Sequence, residues 1–386
     1  MRILIVNTDY PEFLSWFYQQ HPGLATASYQ EQLRARYNSI FGLADFYSRN
    51  LRILGHEAWD VYANNDLMQS AWAKEHGMKA VAHEVFARAK HWAKATPLRH
   101  LKPVLRPLVA ARNTFDVLAA QIRYYRPDIL LNQSMDGIPD RFFWEIKPSV
   151  RLIVGQIAAP LAENNLQSYD LIISSLPNFV DYFRKQGAHS ELHRLGFEPS
   201  ILTRLERREA TTDVSFVGSV TDYHSTRTRL IETICEKAGL SWWGQGAAML
   251  PKESILRKHH RGMAWGLHMY QTLTDSKITV NHHINAAENF ANNMRLFEAT
   301  GVGTMLLTDR KQNLHEMFEP EKEVAVYSSA DQCVEVIRHY LSHDVERKAI
   351  ARAGQQRTLR DHNYAVRMRE LSEILTGCVT ARTVVN

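Results

Sequence analysis

Cysteine is scarce in this chain of 386 residues: Cys235, Cys333 and Cys378 stand far apart, with no CxxC pair among them. That argues against a disulfide framework or a structural zinc site and suits a reducing, cytoplasmic setting. No apolar run approaches the roughly 18 residues that a membrane span needs. The opening "MRILIVNTDY" is too briefly apolar for a secretory leader and reads as a buried first strand. A GxGxxG loop, an internal repeat and a low-complexity tract are all missing, as are a Ser/His/Asp or Cys/His set and any metal-ligand spacing. What remains is ordinary globular composition, 45% hydrophobic and 23% charged, on a chain long enough for two domains.

The net charge of +5 is small but unevenly spread. Between Glu84 and Asp116 lie Arg88, Lys90, Lys94, Arg99, Lys102, Arg106 and Arg112 with no acid among them, interleaved with Phe86, Trp92, Leu98 and Leu105. Three readings are open for this 85–115 segment. It packs its apolar side on its own domain, rests on an anionic membrane from the cytoplasmic side, or touches a nucleic-acid backbone, the last being the weakest.

Hydrophobic patterning predicts alternating strands and helices. "RILIV", "EAWDVYA", "PDILLNQ", "RLIVGQIA" and "DLIISS" are buried-strand runs in the first half. Residues 37–54 show one continuous helical face, closed by Gly55 as a left-handed cap. A break across "GFEPSILTRLERREATTD" precedes a second series: "DVSFVGSV", "LSWWGQG", "KITVN", "TMLLTD" and "EVAVYS". The expected architecture is two doubly wound α/β domains facing across a cleft, 1–198 and 199–361, followed by a terminal helical segment 362–386. Ligands of such sheets bind at the strand carboxyl ends. That singles out Asn7, Thr8, Asp9, Gln133, Ser134, Gln156 and Ser174 in the first domain.

In the second domain the stretch "NNMRLFEATGVGTMLLTD" reads as helix, glycine stop and strand. Asn292 or Asn293 caps the helix, whose amides and dipole suit a diphosphate. Arg295 in the first turn adds a bidentate phosphate contact. Glu298, three residues on, is placed to accept from two ribose hydroxyls and is expected to line the cleft rather than a core. The competing reading is a plain i,i+3 Arg–Glu pair. Gly218 and Ser219, Arg227, Gly244, Thr308 and Asp309 complete the candidate donor site, and His224 and Arg229 flank Arg227 on the same helix.

The run from "SKITVNHH" to "NYAVRMREL" resembles the C-terminal half of the spore-maturation, CgeB-like glycosyltransferases. The likeness covers roughly residues 214–375 and is carried by Arg-x-Phe-Glu-Ala-x-x-x-Gly, Phe-Glu-Pro, Ala-Gly-x-x-Arg and His-x-Tyr in that order. It implies a bacterial enzyme with two Rossmann-like domains of the GT-B type, a nucleotide-sugar donor held by the C-terminal domain, an acceptor held by the N-terminal one, and no metal or cofactor. It implies too that the last helix crosses back to the first domain and that Glu298 holds the donor ribose. Many retaining relatives carry a Glu-x7-Glu pair; here the first position is Phe290, and Glu288 is two residues out of step.

A glycosyltransferase must stabilise its leaving diphosphate, and without a metal Arg295, Arg227 and the helix start are the groups to do it. An inverting enzyme also needs a base for the acceptor hydroxyl. Asp9 is the best-placed carboxylate by topology, with His282 and His283 as alternatives on the donor side. The acceptor is left open: a glycan, a lipid-linked sugar or a small molecule. Two other readings remain: a nucleotide-sugar epimerase or hydrolase on the same fold, and a non-catalytic nucleotide-binding protein.

Overall fold

A computed structural model describes residues 1–78, 115–135, 137–158, 166–220 and 225–385. The basic 85–115 segment lies almost wholly outside the described residues, as does His224. No described helix is long and apolar enough to cross a membrane.

The first sheet has six parallel strands in the order β2-β1-β3-β4-β5-β6. They are β1 (Arg2–Asn7), β2 (Glu57–Tyr62), β3 (Ile129–Asn132), β4 (Leu152–Gln156), β5 (Leu171–Ser174) and β6 (Ser190–Leu192). The second has five parallel strands in the order β11-β10-β9-β7-β8: β7 (Thr212–Val217), β8 (Ser241–Trp243), β9 (Ser276–Asn281), β10 (Met305–Asp309) and β11 (Ala325–Tyr327). Ten of these strands fall on the ten apolar runs of the sequence. The eleventh, β6, is a three-residue edge strand, "SEL", too short and polar to announce itself.

One expected element is corrected. The helical face over 37–54 is not one helix: Tyr29–Asn38 and Phe46–Ile53 are separated by a loop. That loop holds Ile40, Gly42 and Ala44 at positive φ. Its path is set from outside, because the Ser39 carbonyl approaches the backbone of Gly266 so closely that a Cβ there would lie 1.9 Å away. Periodicity cannot register a break imposed by tertiary contact.

A single cluster of buried apolar side chains runs through both halves of the molecule. It passes from Ile3 and Val154 beside the first sheet, through Phe197, to Leu296 and Leu306 of the second and Met368 of the last helix. Phe197 lies at the junction: its amide donates to the His362 carbonyl at 2.8 Å, and its own carbonyl accepts from Tyr364 at 2.9 Å. The helix Tyr364–Val385 then packs on Phe46–Ile53. Tyr364 and Tyr47 meet ring to ring at 5.7 Å, and the Arg367 guanidinium donates to the Leu195 carbonyl.

The Phe197 ring lies flat against the helix Met294–Val302 only because residue 301 has no side chain; a Cβ there would sit 2.3 Å from the ring. Gly301→Ala should therefore lower stability by about 2 kcal/mol, overpacking outweighing the roughly 1 kcal/mol of gained helix propensity. Urea unfolding of the variant checks this; unchanged or raised stability would show that the junction yields.

Candidate functional site

The carboxyl ends of β9, β10 and β11 are tied by side chains. Asn293 is the N-cap of Met294–Val302, its Oδ1 accepting from the Leu296 amide at 3.2 Å. Its Nδ2 donates to Asn281 at the end of β9 (2.9 Å), and Asn281 in turn donates to Thr308 Oγ1 at the end of β10 (3.0 Å). The Tyr327 hydroxyl, from β11, donates to the Asn281 carbonyl at 2.8 Å and lies 3.0 Å from His282 Nδ1. The capped helix start is thus locked to three strand ends. Thr308 is fully buried in that lock and serves it rather than an open surface.

Asp309 faces the other way. Its Oδ1 accepts from the His283 backbone amide at 3.1 Å and lies 2.7 Å from His283 Nδ1. Lys311 Nζ lies 3.4 Å from Oδ2, and His282 Nδ1 3.8 Å. Burial opposes its ionisation, but the hydrogen bond and charge of His283, with His282 and Lys311, outweigh it and hold the carboxyl well below the ordinary carboxylate range. In His282 burial dominates and lowers the pKa.

Arg227 bridges β7 and β9 from the helix Ser225–Lys237. It donates to the Ser219 carbonyl at 3.3 Å and the His282 carbonyl at 3.0 Å. It is buried, its Nε has no partner, and no described carboxylate lies within ion-pair distance. Burial pulls its pKa below the usual arginine value. Gly218 and Gly244 serve each other: Gly244, at φ +151°, admits the Gly218 carbonyl, which a Cβ would meet at 2.0 Å.

The structure settles the Arg–Glu question differently from the expectation that Glu298 lines the cleft. Glu298 is 4% exposed. Its Oε2 pairs with Arg295 at 2.8 Å and its Oε1 accepts weakly from Tyr270 at 3.4 Å. Arg295 also donates to the Val217 carbonyl at the end of β7 (3.1 Å). The pair is a buried brace between helix and strand, one helical turn behind the capped start.

Between the two sheets lies a cavity of about 510 Å³. The ends of β1, β3, β4 and β5 form one wall, through Asn7, Gln133, Gln156 and Ser175 among others. Residues 283–294 contribute His283, Asn292 and Asn293 to the opposite wall. Of the sequence-predicted residues, Asn7, Thr8, Asp9, Gln133, Ser134, Gln156, His283, Asn292 and Asn293 line it; Gly218, Ser219, Arg227, Gly244, His282, Arg295, Glu298, Thr308 and Asp309 do not. Ser174 is buried beneath the wall and its neighbour Ser175 takes the lining position.

Asp9 is not a free carboxylate. Arg36 from the helix Tyr29–Asn38 grips both oxygens, Nε to Oδ2 at 2.9 Å and Nη2 to Oδ1 at 2.6 Å. Asn64 closes on its backbone from the other side. Sequence reasoning missed Arg36, whose pairing with a residue 27 positions away has no local signal. Below this pair Asp60 accepts from Asn7 and Tyr37, both at 3.1 Å, and burial pushes its carboxyl up to about 6.

The model of a family described as glycosyl transferase-like matches residues 207–373. Among curated proteins nothing matches. Similar solved structures include HepE of Anabaena in complex with UDP and glucose, at 8% identity over 98% of this chain and 100% of that one, with a TM-score of 0.59. A glycosyltransferase of Rickettsia africae is 12% identical over 98% of each chain, with a TM-score of 0.57. Sucrose-phosphate synthase of Thermosynechococcus elongatus is 12% identical over 75% of this chain and 82% of that one, at 0.52. At such identities the likeness is one of fold: two parallel-sheet domains arranged as in GT-B glycosyltransferases. The family match spans β7 to β11, and so every candidate donor-site residue.

Two expectations follow from the geometry. Glu298→Ala should cost roughly 3 kcal/mol in urea unfolding, because it strands the Arg295 guanidinium in a buried site; a loss under 1 kcal/mol would mean that Arg295 swings out to water. Asp60 has its folded pKa raised above the unfolded value of about 3.9, so its contribution to stability is present below about pH 4 and lost as pH rises through about 6. Asp60→Asn should flatten the pH dependence of the melting temperature across that window. An unchanged profile would assign the dependence elsewhere.

Proposed function

We propose, from a C-terminal half that matches the glycosyl transferase-like family and a chain with the GT-B fold, that this protein transfers a sugar from a nucleotide-diphosphate sugar to an acceptor hydroxyl. The observation that carries the reading is Arg227. A buried guanidinium whose partners among the described residues are carbonyl oxygens alone is placed to take an anion. It stands at the end of β9, where the capped start of Met294–Val302 also points, and a helix start with an adjacent arginine suits a diphosphate.

In this reading Arg227, the first-turn amides and Arg295 take up the charge of the leaving nucleoside diphosphate, so that no metal is required. The Gly218-Ser219 turn and Gly244 shape the backbone around it. Glu298 reaches a ribose only by exchanging part of its hold on Arg295, so its first role is to orient that arginine. Asp9 and His282 remain in the reaction scheme as positioning groups: the first has both oxygens on Arg36, and the second turns Nδ1 to Tyr327. We further place the protein among CgeB-like bacterial enzymes, in the cytoplasm, with the basic 85–115 segment as a contact for anionic membrane.

Thermal unfolding with UDP, dTDP, GDP, ADP and CMP tests the donor site. One of them should stabilise the wild type, by about 2.7 kcal/mol at a hundredfold excess over its Kd, and Arg227→Ala should lose that gain. Stabilisation should survive EDTA. If none of the five binds, the transferase reading fails and a protein that keeps only the fold takes its place. Donor consumption at full rate without any acceptor would turn the reading toward a hydrolase.

A further inference from the structure

The helix Ala330–Ser342 ends at His343, and the helix Asp344–Asp361 starts at the next residue. His343, at φ −117° and ψ 68°, is the joint between them. His339, His343 and Glu346 stand around that joint, all three exposed, at the i, i+4 and i+7 spacing of one helical stripe. One ligand atom from each lies within 4.8 Å of those of the other two. None of the three lines the cavity between the sheets, and the transferase reading uses none of them.

Two imidazoles and a carboxylate are a donor set for a transition-metal dication, whereas Mg²⁺ and Ca²⁺ take oxygen ligands. The local chemistry prepares the set. His343 Nδ1 lies 2.8 Å from the His339 carbonyl, which can only accept, so Nδ1 carries the hydrogen and Nε2 keeps the lone pair of the neutral ring. The two rings stack at 4.1 Å with planes 15° apart, a contact that two imidazolium charges would oppose. His339 Nε2 donates to Glu346 Oε2 at 3.0 Å, and among the described residues Glu346 has no other ion pair.

The neighbouring cations are engaged elsewhere, Arg347 and Lys348 both pairing with Asp344. The last carbonyls of Ala330–Ser342 add the negative end of a helix dipole. We propose that His339, His343 and Glu346 bind a dication of the zinc class, which clamps the two helices across their joint. The ion takes the place of the hydrogen that His339 Nε2 turns to Glu346. Small rotations of exposed side chains bring the three donors to the separation of about 3.3 Å that tetrahedral bonds of about 2.0–2.1 Å require, with water in the fourth position. Ala330–Ser342 packs on β11 and Asp344–Asp361 on β10, so the ion adds to the stability of the second domain rather than to its chemistry.

Calorimetric titration of the EDTA-treated, dialysed full chain with ZnCl₂ and with MgCl₂ tests the site. The wild type should take up about one Zn²⁺ per chain and no Mg²⁺. His339→Ala and His343→Ala should each weaken zinc binding at least about tenfold, since even a supporting partner of a ligand counts for that much. His268→Ala, which removes an exposed histidine elsewhere, should leave it unchanged. Zinc should raise the melting temperature of the wild type and of His268→Ala but not of the other two variants, whose metal-free melting curves show that they fold. Equal zinc affinity in the wild type and both site variants would place the ion on other histidines and overturn the proposal. So would the absence of zinc binding, magnesium bound as tightly as zinc, or one ion shared by two chains, which would make it a bridge between copies instead of a clamp within one.

Discussion

Phe197 is where two sheets become one body. Its backbone closes a two-hydrogen-bond bridge with His362 and Tyr364, and its ring fills the space that Gly301 leaves open. Burying such a ring contributes roughly 2–3 kcal/mol, yet its larger effect is geometric. It joins the chain entering the second domain to the helix returning to the first, and so fixes which strand ends look at each other. The cavity wall is drawn from both sides of that junction, so any rotation about Phe197 changes the distance between Gln133 or Gln156 and His283.

Within this frame the second domain uses short polar side chains as rivets. Asn281, Asn293, Thr308 and Tyr327 spend their hydrogen bonds on one another, which turns three strand ends and a helix start into a rigid plate. Such a plate can present amides and an arginine without reorganising when charge arrives. Glycine supplies the remaining closeness. Gly244 and Gly218 touch backbone to backbone, a packing that any side chain would break.

How much of this could be read from sequence divides by range. Strands β1 to β5 and β7 to β11 announce themselves because a parallel sheet buried on both faces needs continuous apolar runs. The helix cap at Asn293 and the left-handed Gly55 follow local rules and were legible too. The loop at 39–45 was not, since its positive φ angles answer to a carbonyl contact with Gly266 from the other domain. The site behaves likewise. Residue types at strand ends pointed to the right places, but pairing decided their roles: Arg36 claims Asp9, Arg295 claims Glu298, and Asp309 chooses His283 over His282. Each of those choices is a distance between residues that sequence order does not bring together.

Charge is sorted within the cleft, and the sorting narrows the ligand. Among the described residues, Arg227 on the second-domain side is buried without a counter-ion within ion-pair distance, whereas the one carboxylate lining the cavity, Asp9, is matched by Arg36. A buried cation and a neutral hydrogen-bonding pocket, linked through the backbone of 282–283, favour a ligand that is anionic at one end and uncharged at the other. A free nucleotide would satisfy only the first, and a free sugar only the second. A nucleotide-diphosphate sugar satisfies both, and so does a nucleoside diphosphate beside a neutral acceptor.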